Sequence, residues 1–309
     1  MSDPEARAEF PCPDRDPLPT WVGVDGCPAG WFSVALVERP GPGGVGRREI
    51  GGMGLGAGAL GCGELHVRMA VDPDAAALWQ RWRGARLILI DIPIGLLDRP
   101  GPRRCDQEAR ARLGPRRSSV FPAPSRASLA APDYPSASAR NRAVSGRGLS
   151  RQSWNIAPKV AQVDALVRSG ARGPDGVPAR ERMREVHPEL LFLGLNGGVP
   201  MAHPKRTALG REERLEVLER HLAGAREIIA QALATFPRGA VARDDAVDAL
   251  VAALVGYRSA GKLDVVPEVP ERDATGDASG DADRDADRDA EGIPMAIRYW
   301  RAPASEPGA

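Results

Sequence analysis

The chain has 309 residues, of which 42% are apolar, enough to bury a substantial core in one large domain or two small ones. Its 42 Lys and Arg residues nearly balance its 41 Asp and Glu residues, although these charges are unevenly spread. The four cysteines form no close pair, which argues against a zinc knuckle or a disulfide framework. No segment approaches the roughly 20 apolar residues of a membrane span, and the N-terminus has no signal-peptide pattern, so we expect a soluble cytoplasmic protein.

Two strands joined by a tight turn are predicted near the start of the chain. Residues 1–19 are rich in proline and charge and are expected to form a disordered tail. Residues 21–25 are a short apolar run that ends on a carboxylate, Asp25. After a turn at 26–30, residues 31–37 alternate like a second strand, so the pair is typical of a hairpin.

A second carboxylate interrupts another apolar run. A Gly-rich connection at 39–63 leads to a predicted third strand at 65–71 and then to a helix. The apolar stretch 86–95 that follows is typical of a parallel strand buried on both faces, and it contains Asp91. If this fourth strand lies next to the first and parallel to it, Asp25 and Asp91 emerge side by side at the carboxyl ends of the strands, where open α/β sheets bind ligands. An Asp that merely forms a turn after a strand is the alternative interpretation of each residue.

The segment from residue 99 to residue 151 is strongly basic. It contains twelve arginines against three acids (Asp106, Glu108 and Asp133), a net charge of +9. Basic loops rich in Ser, Pro and Gly suit contacts with phosphate groups. An Arg-rich surface that is simply solvated is the alternative.

Three more elements are predicted after this basic segment: a helix at 158–168, a fifth strand at 184–192 and an amphipathic helix at 211–235. If the fifth strand is regular, one of its faces carries Glu185, His187 and Glu189. That face could bind metal or phosphate, or it could be the polar side of an edge strand, as Pro188 suggests.

The composition changes abruptly near the C-terminus. Residues 270–291 are a low-complexity acidic run without core-forming residues, and we expect a disordered linker there. Alternating apolar residues within 292–303 predict a last strand that returns to the domain.

The segment that begins at Asp244 predicts a buried helix with carboxylates at its start. Asp244, Asp245 and Asp248 fall within one arc of roughly 100° on a helix that advances about 100° per residue. Helix capping explains Asp244 well but Asp248 poorly, because Asp248 lies a full turn inside. Carboxylates that converge without basic partners repel one another, and hard divalent cations such as Mg²⁺ relieve this repulsion.

The strand-end Asp25 and Asp91, together with Asp245 and Asp248 on one helix, resemble the ribonuclease H-like superfamily, and the helix is most similar to that of the Holliday-junction resolvases. More narrowly, the chain resembles the predicted-nuclease family called domain of unknown function 429. The matching stretches, in order, are GVDGCPAGW (23–31), IDIPIGL (90–96), CDQEARARLGPRRSSVFPAPSR (105–126), QSWNIAPK (152–159), EVHPELLF (185–192), KRTALGREER (205–214) and DDAVDA (244–249).

The resemblance implies an α/β fold with a five-stranded mixed sheet of order 3-2-1-4-5, flanked by helices. The domain is expected to span 20–265, with a helical and loop insertion after the fourth strand that includes the basic segment, at about 99–180. It also implies a metal-dependent nuclease that hydrolyses phosphodiester bonds by a two-metal-ion mechanism. The expected ligands of Mg²⁺ or Mn²⁺, which are also the catalytic residues, are Asp25, Asp91, Asp245 and Asp248.

Further residues are expected to surround this site. The predicted nucleic-acid contacts are Arg103, Arg104, Arg116, Arg117, Arg126 and Lys159. The residues expected to support the site are Asp244, as the helix N-cap, Glu185 and His187.

Two other classes of function stay open at this stage. Sugar kinases and actin-like ATPases use a similar strand-turn unit, but they need two copies of the fold and the sequence contains one. A nucleic-acid- or nucleotide-binding protein that lacks catalysis is the second alternative. Because aromatic residues make up only 5% of the chain, recognition through backbone phosphates is favoured over base stacking.

Overall fold

A computed structural model describes residues 18–40, 63–268 and 288–303 of the chain. The predicted tail at 1–19 and the Gly-rich connection at 39–63 therefore lie almost entirely outside the described residues, as does the acidic run up to residue 287.

A five-stranded mixed sheet forms the centre of the fold, in the order β3-β2-β1-β4-β5. Strand β1 pairs antiparallel with β2 and parallel with β4, while β3 continues antiparallel from β2 and β5 runs parallel to β4. The predicted strand order and the parallel pairing of the first and fourth strands are confirmed. The strands are β1 (Thr20–Cys27), β2 (Gly30–Pro40), β3 (Gly63–Asp72), β4 (Leu87–Ile90) and β5 (Met183–Glu185).

Ten α-helices among the described residues flank this sheet. They are α1 (Ala75–Trp82), α2 (Arg104–Leu113), α3 (Arg126–Leu129), α4 (Tyr134–Ser145), α5 (Arg151–Arg168), α6 (Ala179–Arg182), α7 (Pro188–Leu195), α8 (Ala208–His221), α9 (Ala225–Thr235) and α10 (Arg243–Arg258). A 3₁₀ helix, Gly114–Ser119, follows α2 directly. In the described part of the chain, no helix combines the length and the apolar character that crossing a membrane requires.

The two faces of the sheet bury separate cores. Along β1, Trp21 belongs to the core shared with α10, whereas Val22 and Val24 belong to the core shared with α1 and α5. Successive side chains of a strand point to opposite faces, so Asp25 lies on the α10 face together with Gly23. This alternation decides which helix reaches the carboxylate.

Helix α10 packs directly on β1 because Gly23 has no side chain. A Cβ atom at Gly23 would lie 2.0 Å from the carbonyl oxygen of Ala249 and 2.3 Å from the amide nitrogen of Ala253. Residues 246–256 of the helix are all buried. The small side chains of the helix and the glycine of the strand therefore bring the two backbones into contact.

Two segments in the second half of the chain differ from their predicted secondary structure. The predicted strand at 184–192 ends at Glu185 and is followed by α7, because Pro188 occupies the first turn of a helix, where its missing N–H costs nothing. The single helix expected at 211–235 is two helices, which are separated by Gly224 in a left-handed conformation (φ 82°).

The C-terminal strand pairs differently from the prediction that it returns to the domain as one strand over 292–303. β7 (Ile297–Tyr299) is short and pairs antiparallel with β6 (Asp264–Val266) in a separate two-stranded sheet. Its link to the main sheet is an isolated bridge between Arg298 and Val186, just beyond β5. The end of the predicted acidic linker is also ordered: Asp289 is buried and accepts hydrogen bonds from the backbone N–H groups of Ile293 and Leu96.

The contact at Gly23 predicts that Gly23→Ala is strongly destabilising. The added methyl group would meet backbone atoms that cannot rotate away, so we expect the free energy of unfolding to fall by about 3 kcal/mol or more. Chemical denaturation measures this change. Gly239→Ala is the matched control, since a Cβ atom there meets nothing within 4 Å and the variant should unfold like the parent. Equal stability of the two variants would contradict the close packing of α10 on β1.

Candidate functional site

Two carboxylates lie next to each other at the carboxyl ends of β1 and β4. Val24 and Ile90 are partners in the parallel register, and the backbone N–H of Asp91 donates to the carbonyl oxygen of Val24 over 3.0 Å. Asp25 accepts a hydrogen bond of 2.7 Å from the N–H of Gly26, which orients its carboxylate at the start of the hairpin turn. Both aspartates are partly buried.

Helix α10 brings two more carboxylates to the same place. Asp248 is buried, with 2% of its surface exposed, one turn inside the helix. Asp245 is partly buried and accepts a hydrogen bond of 2.8 Å from the N–H of Ala242, so it caps the helix from its third position. We name Asp25, Asp91, Asp245 and Asp248 the carboxylate cluster.

The prediction that Asp244 is the N-cap is wrong. The helix begins at Arg243, so Ala242 occupies the N-cap position and Asp244 is the second helical residue. Asp244 remains partly buried beside Asp245 and raises the pKa of that carboxyl group, behind the larger effect of burial. The capping interaction that the sequence placed on Asp244 is made by Asp245.

One lysine provides the cation that contacts the cluster. Lys205 precedes α8, and its Nζ lies 2.7 Å from Oδ2 of Asp248. Its side chain is 40% exposed, whereas the carboxylate it contacts is almost fully buried. Burial disfavours the charged amine, but Asp248 and the neighbouring Asp25 and Asp91 raise the pKa of Lys205 overall. The lysine therefore stays charged and neutralises part of the cluster.

The pKa values of the four carboxyl groups show that one lysine does not balance them. Burial, followed by the charges of Asp91, Asp248 and Asp245, raises the pKa of Asp25 well above its usual range. Burial raises the pKa of Asp248 to about 6, even though Lys205 lowers it. Burial also raises the pKa values of Asp91 and Asp245. Lys205 therefore does not offset the effect of burial or, at Asp25, the repulsion from the neighbouring carboxylates.

Lys159 contributes a second positive charge from α5. Its Nζ donates to the carbonyl oxygens of Gly30 and, over 3.1 Å, of Cys27, and it lies 4.9 Å from the centre of the Trp31 ring. Asp25 raises the pKa of this lysine, although burial lowers it overall. Lys159 was predicted to contact nucleic acid. In the structure it lies on α5 and its ammonium group binds the β1–β2 turn beside Asp25.

Glu185 and Arg103 organise the loop that follows Asp91. Glu185 accepts a hydrogen bond of 2.7 Å from the N–H of Ile94, and its carboxylate forms a bidentate ion pair with Arg103. Arg103 also donates to the carbonyl oxygens of Ile94 and Gly95. With 1% of its side chain exposed, Arg103 is an internal residue, and the prediction that it contacts nucleic acid is corrected.

The prediction that Arg126 contacts nucleic acid is also corrected. Its guanidinium group forms ion pairs with three carboxylates, Asp98, Asp164 and Asp289, and is 16% exposed. These acids lie outside the basic segment 99–151, so the composition of that segment showed an excess of arginine. The fold brings the acids to Arg126 from other parts of the chain. Arg126 connects the C-terminal segment to the insertion.

The other predicted arginines lie on α2 and on the 3₁₀ helix. Arg104 is partly buried at the start of α2, Arg116 is partly buried and Arg117 is exposed. The last residue of the 3₁₀ helix, Ser119, has its carbonyl oxygen 3.3 Å from Nε2 of His187. His187 in turn lies close enough to Asp91 to lower the pKa of that carboxyl group, behind the larger effect of burial. The end of the 3₁₀ helix is thereby linked through His187 to Asp91.

His187 and Glu189 each retain an unused polar atom. Within the described part of the chain, Nδ1 of His187 and Oε2 of Glu189 are buried without a hydrogen-bond partner. Glu189 lies in the first turn of α7, forms an ion pair with Arg214 and raises the pKa values of Asp91 and Asp248. Glu189 is therefore a further acid beside the cluster.

Sequence reasoning missed Lys205 as a site residue. The chain contains three lysines among its 42 basic residues, and two of them, Lys159 and Lys205, lie at the carboxylate cluster. The rarity of lysine in a chain whose basic residues are nearly all arginine is the signal in the sequence that could have identified Lys205.

The described residues contain no group of three or more His, Cys, Asp or Glu side chains arranged to hold a metal ion. The donors nevertheless fit a hard divalent cation in chemical terms, because they are carboxylate oxygens with uncompensated charge. The ammonium group of Lys205 lies 2.7 Å from Oδ2 of Asp248 and is the cation in contact with these carboxylates.

The raised pKa of Asp25 predicts that Asp25→Asn stabilises the protein. A carboxyl group whose pKa is higher in the folded than in the unfolded state destabilises the fold once it is ionised, and this cost disappears as the pH falls toward about 3.9, the unfolded value. We expect Tm to rise by about 2–4 °C near pH 8, as for a gain of about 1 kcal/mol, and the gain to shrink as the pH falls. Thermal unfolding across a pH series measures it.

Asp72→Asn is the matched control for this substitution. Asp72 is buried but forms an ion pair with Arg81, whose Nε lies 2.9 Å away, so its amide variant should lower Tm at the same pH. A lowered Tm for Asp25→Asn near pH 8 would contradict the view that Asp25 carries uncompensated charge.

Comparison with known protein families finds a match that covers the residues of the carboxylate cluster. Residues 23–272 match the family described as protein of unknown function (DUF429), a stretch that includes the whole carboxylate cluster, Lys159 and Lys205. Neither a curated protein nor a solved structure matches the chain. Because the family match covers most of the chain, this protein belongs to the DUF429 family.

Proposed function

We propose that the carboxylate cluster binds Mg²⁺ or Mn²⁺ and that the protein is a nuclease that hydrolyses phosphodiester bonds. The observation that carries this proposal is the convergence of Asp25, Asp91, Asp245 and Asp248, whose pKa values are all raised. Aspartates of a purely structural role have partners that balance them, as Asp72 has in Arg81. Uncompensated carboxylates at the carboxyl ends of parallel strands are typical of a binding site.

The fold supports the same reaction class. The sheet order β3-β2-β1-β4-β5, with acids at the ends of β1 and β4 and on the helix that crosses β1, resembles the ribonuclease H-like nucleases. Two divalent cations, when bound, would activate a water molecule and stabilise the leaving oxygen of an in-line displacement. Asp25 and Asp91 would hold these cations from the sheet, and Asp245 and Asp248 would complete the set from α10.

Lys205 has a defined part in this proposal. A divalent cation at Asp248 requires the ammonium group of Lys205 to move away, and its partly exposed side chain is free to do so. Once displaced, Lys205 would remain beside the cluster and could donate to a phosphate oxygen of the substrate. Lysine suits this role because its charge sits at the end of a flexible four-carbon stem.

Nucleic acid is the proposed substrate because a basic element adjoins the cluster. Arg117 is exposed on the 3₁₀ helix whose end contacts His187, and Arg116 lies next to it. These arginines could contact backbone phosphates on either side of the scissile bond. We expect weak sequence preference, since phosphate contacts do not read bases.

The test is a cleavage panel. Labelled single-stranded, duplex, hybrid and branched DNA and RNA are incubated with the full chain and Mg²⁺ or Mn²⁺, and Asp25→Asn serves as the catalytically impaired variant. We expect cleavage of at least one substrate to fall by about 100-fold or more in Asp25→Asn, since its carboxylate would hold the cations. Asp74→Asn is the control, because Asp74 caps α1 away from the cluster and should leave cleavage unchanged.

Two results would contradict the nuclease. Binding of nucleic acid without any cleavage would favour a non-catalytic binding protein, whereas cleavage that persists in Asp25→Asn would point to a contaminating enzyme.

The competition between Lys205 and a cation makes a second prediction. Lys205→Met should lower Tm in metal-free buffer, because it leaves the buried Asp248 without its ionic partner. Added Mn²⁺ should then raise Tm more in Lys205→Met than in the parent, since the cation no longer displaces an ammonium group. Thermal unfolding with and without Mn²⁺ measures both effects.

Lys262→Met is the control for this experiment. Lys262 is exposed beyond the end of α10, and its loss should change neither Tm nor the response to Mn²⁺. Equal stabilisation of the parent and Lys205→Met by Mn²⁺ would show that the cation does not bind at Asp248.

A further inference from the structure

A charged cavity lies at the opposite end of the sheet from the carboxylate cluster. Its volume is about 350 Å³, and its walls include Trp21 and Leu87 at the start of β1 and β4. Trp21 precedes Asp25 by four residues, which corresponds to about 13 Å along an extended strand. The cavity and the carboxylate cluster are therefore separate sites on one sheet.

Three arginines line this cavity against a single acid. Arg86, Arg184 and Arg298 come from three different segments, and the acid is Glu181. Arg86 and Glu181 are exposed, whereas Arg184 and Arg298 are half-buried. Formal charges give the lining a net charge of +2. Like charges brought together in a partly buried cavity repel one another unless an anion separates them.

The guanidinium groups have few partners of their own. Arg184 donates from Nη1 to the carbonyl oxygens of Arg180 and Met183, and Arg86 lies over the Trp21 ring at 5.7 Å. The side chain of Arg298 donates no hydrogen bond to any described residue. None of the three forms an ion pair with a carboxylate in the described part of the chain.

This arrangement differs from that of the buried arginines elsewhere in the protein. Arg103, Arg182 and Arg214 are each matched to a carboxylate, namely Glu185, Asp175 and Glu189. Burial and the nearby Arg298 lower the pKa of Arg184 to about 10, and burial lowers that of Arg298. The fold thus pairs its internal arginines, whereas the cavity leaves charge unmatched.

We propose that this cavity binds the phosphate group of a small ligand. A phosphate carries close to two negative charges at neutral pH, which matches the charge of the lining. The planar guanidinium group donates two parallel hydrogen bonds to phosphate oxygens, and Arg184 and Arg298 retain N–H groups for this purpose. The volume is in the range of small-molecule sites, and Trp21 and Leu263 supply an apolar wall for the part of the ligand that carries the phosphate.

Isothermal titration calorimetry of the full chain with inorganic phosphate, and separately with adenosine monophosphate, tests this site. The double variant Arg184→Ala/Arg298→Ala should bind at least tenfold more weakly than the parent, because two charged donors are lost. Arg83→Ala is the matched control, since Arg83 is exposed outside the cavity and its loss should leave the affinity unchanged. If adenosine monophosphate binds more tightly than inorganic phosphate, the ligand is a nucleotide. If the two probes bind equally, the ligand is free phosphate.

A folded variant is needed for the comparison. Arg298 repels Arg184, and its side chain donates no hydrogen bond to a described residue, so loss of its charge alone should leave Tm in phosphate-free buffer equal to or above that of the parent. The double variant also loses the hydrogen bonds of Arg184 to the carbonyl oxygens of Arg180 and Met183, so its Tm is not used as the measure of folding. Arg298→Gln, which keeps much of the stem that packs in the cavity, provides a second variant with the same expected loss of affinity. The proposal is overturned if the parent binds neither probe at millimolar concentration, or if the folded variants bind phosphate as tightly as the parent does.

Discussion

Direct contact between the backbones of α10 and β1 at Gly23 is the constraint on which the carboxylate cluster depends. The contact brings Asp245 and Asp248 to the end of the strand that carries Asp25. Burial raises the pKa values of Asp25 and Asp248, and repulsion from neighbouring carboxylates adds to this effect. Burial of the apolar residues along α10 stabilises an arrangement that electrostatics alone would open. A packing interaction therefore holds the charges in place, and this relation between a stable core and a destabilised site is common in functional proteins.

Arginine and lysine have different parts in this protein. The buried arginines form fixed internal ion pairs, of which Arg103 with Glu185 is the one that shapes the loop after Asp91. Two of the three lysines lie at the carboxylate cluster. A guanidinium group makes several directed hydrogen bonds at once and so suits a permanent contact, whereas an ammonium group on a flexible stem can exchange partners. Lys205, with its partly exposed side chain, is the charge in the site that has room to move.

The sheet separates charge of opposite sign between its two ends. Acids gather where β1 and β4 end, and the arginine-lined cavity lies where the same strands begin. Strand β1 therefore connects both regions through a rigid, hydrogen-bonded element, with Trp21 at one end and Asp25 at the other. Each region contains charge that the described side chains do not balance, and each would gain stability from a ligand of the opposite sign.

Apolar patterning in the sequence predicted the first four strands, because strand periodicity is a local property. The strand order, and with it the adjacency of Asp25 and Asp91, was implied by the resemblance to a known family, since the parallel pairing of β1 with β4 joins segments that are distant in the sequence. The sequence by itself did not determine whether the apolar run after Glu185 is a strand or a helix, since a fully buried segment has no periodicity that distinguishes them. Only the tertiary structure decided which charges are internal. Arg103 meets Glu185 across 82 residues and Lys205 meets Asp248 across 43, and such contacts arise when the packed core brings distant segments together. A basic composition reports the number of charges in a segment, but their partners depend on the fold.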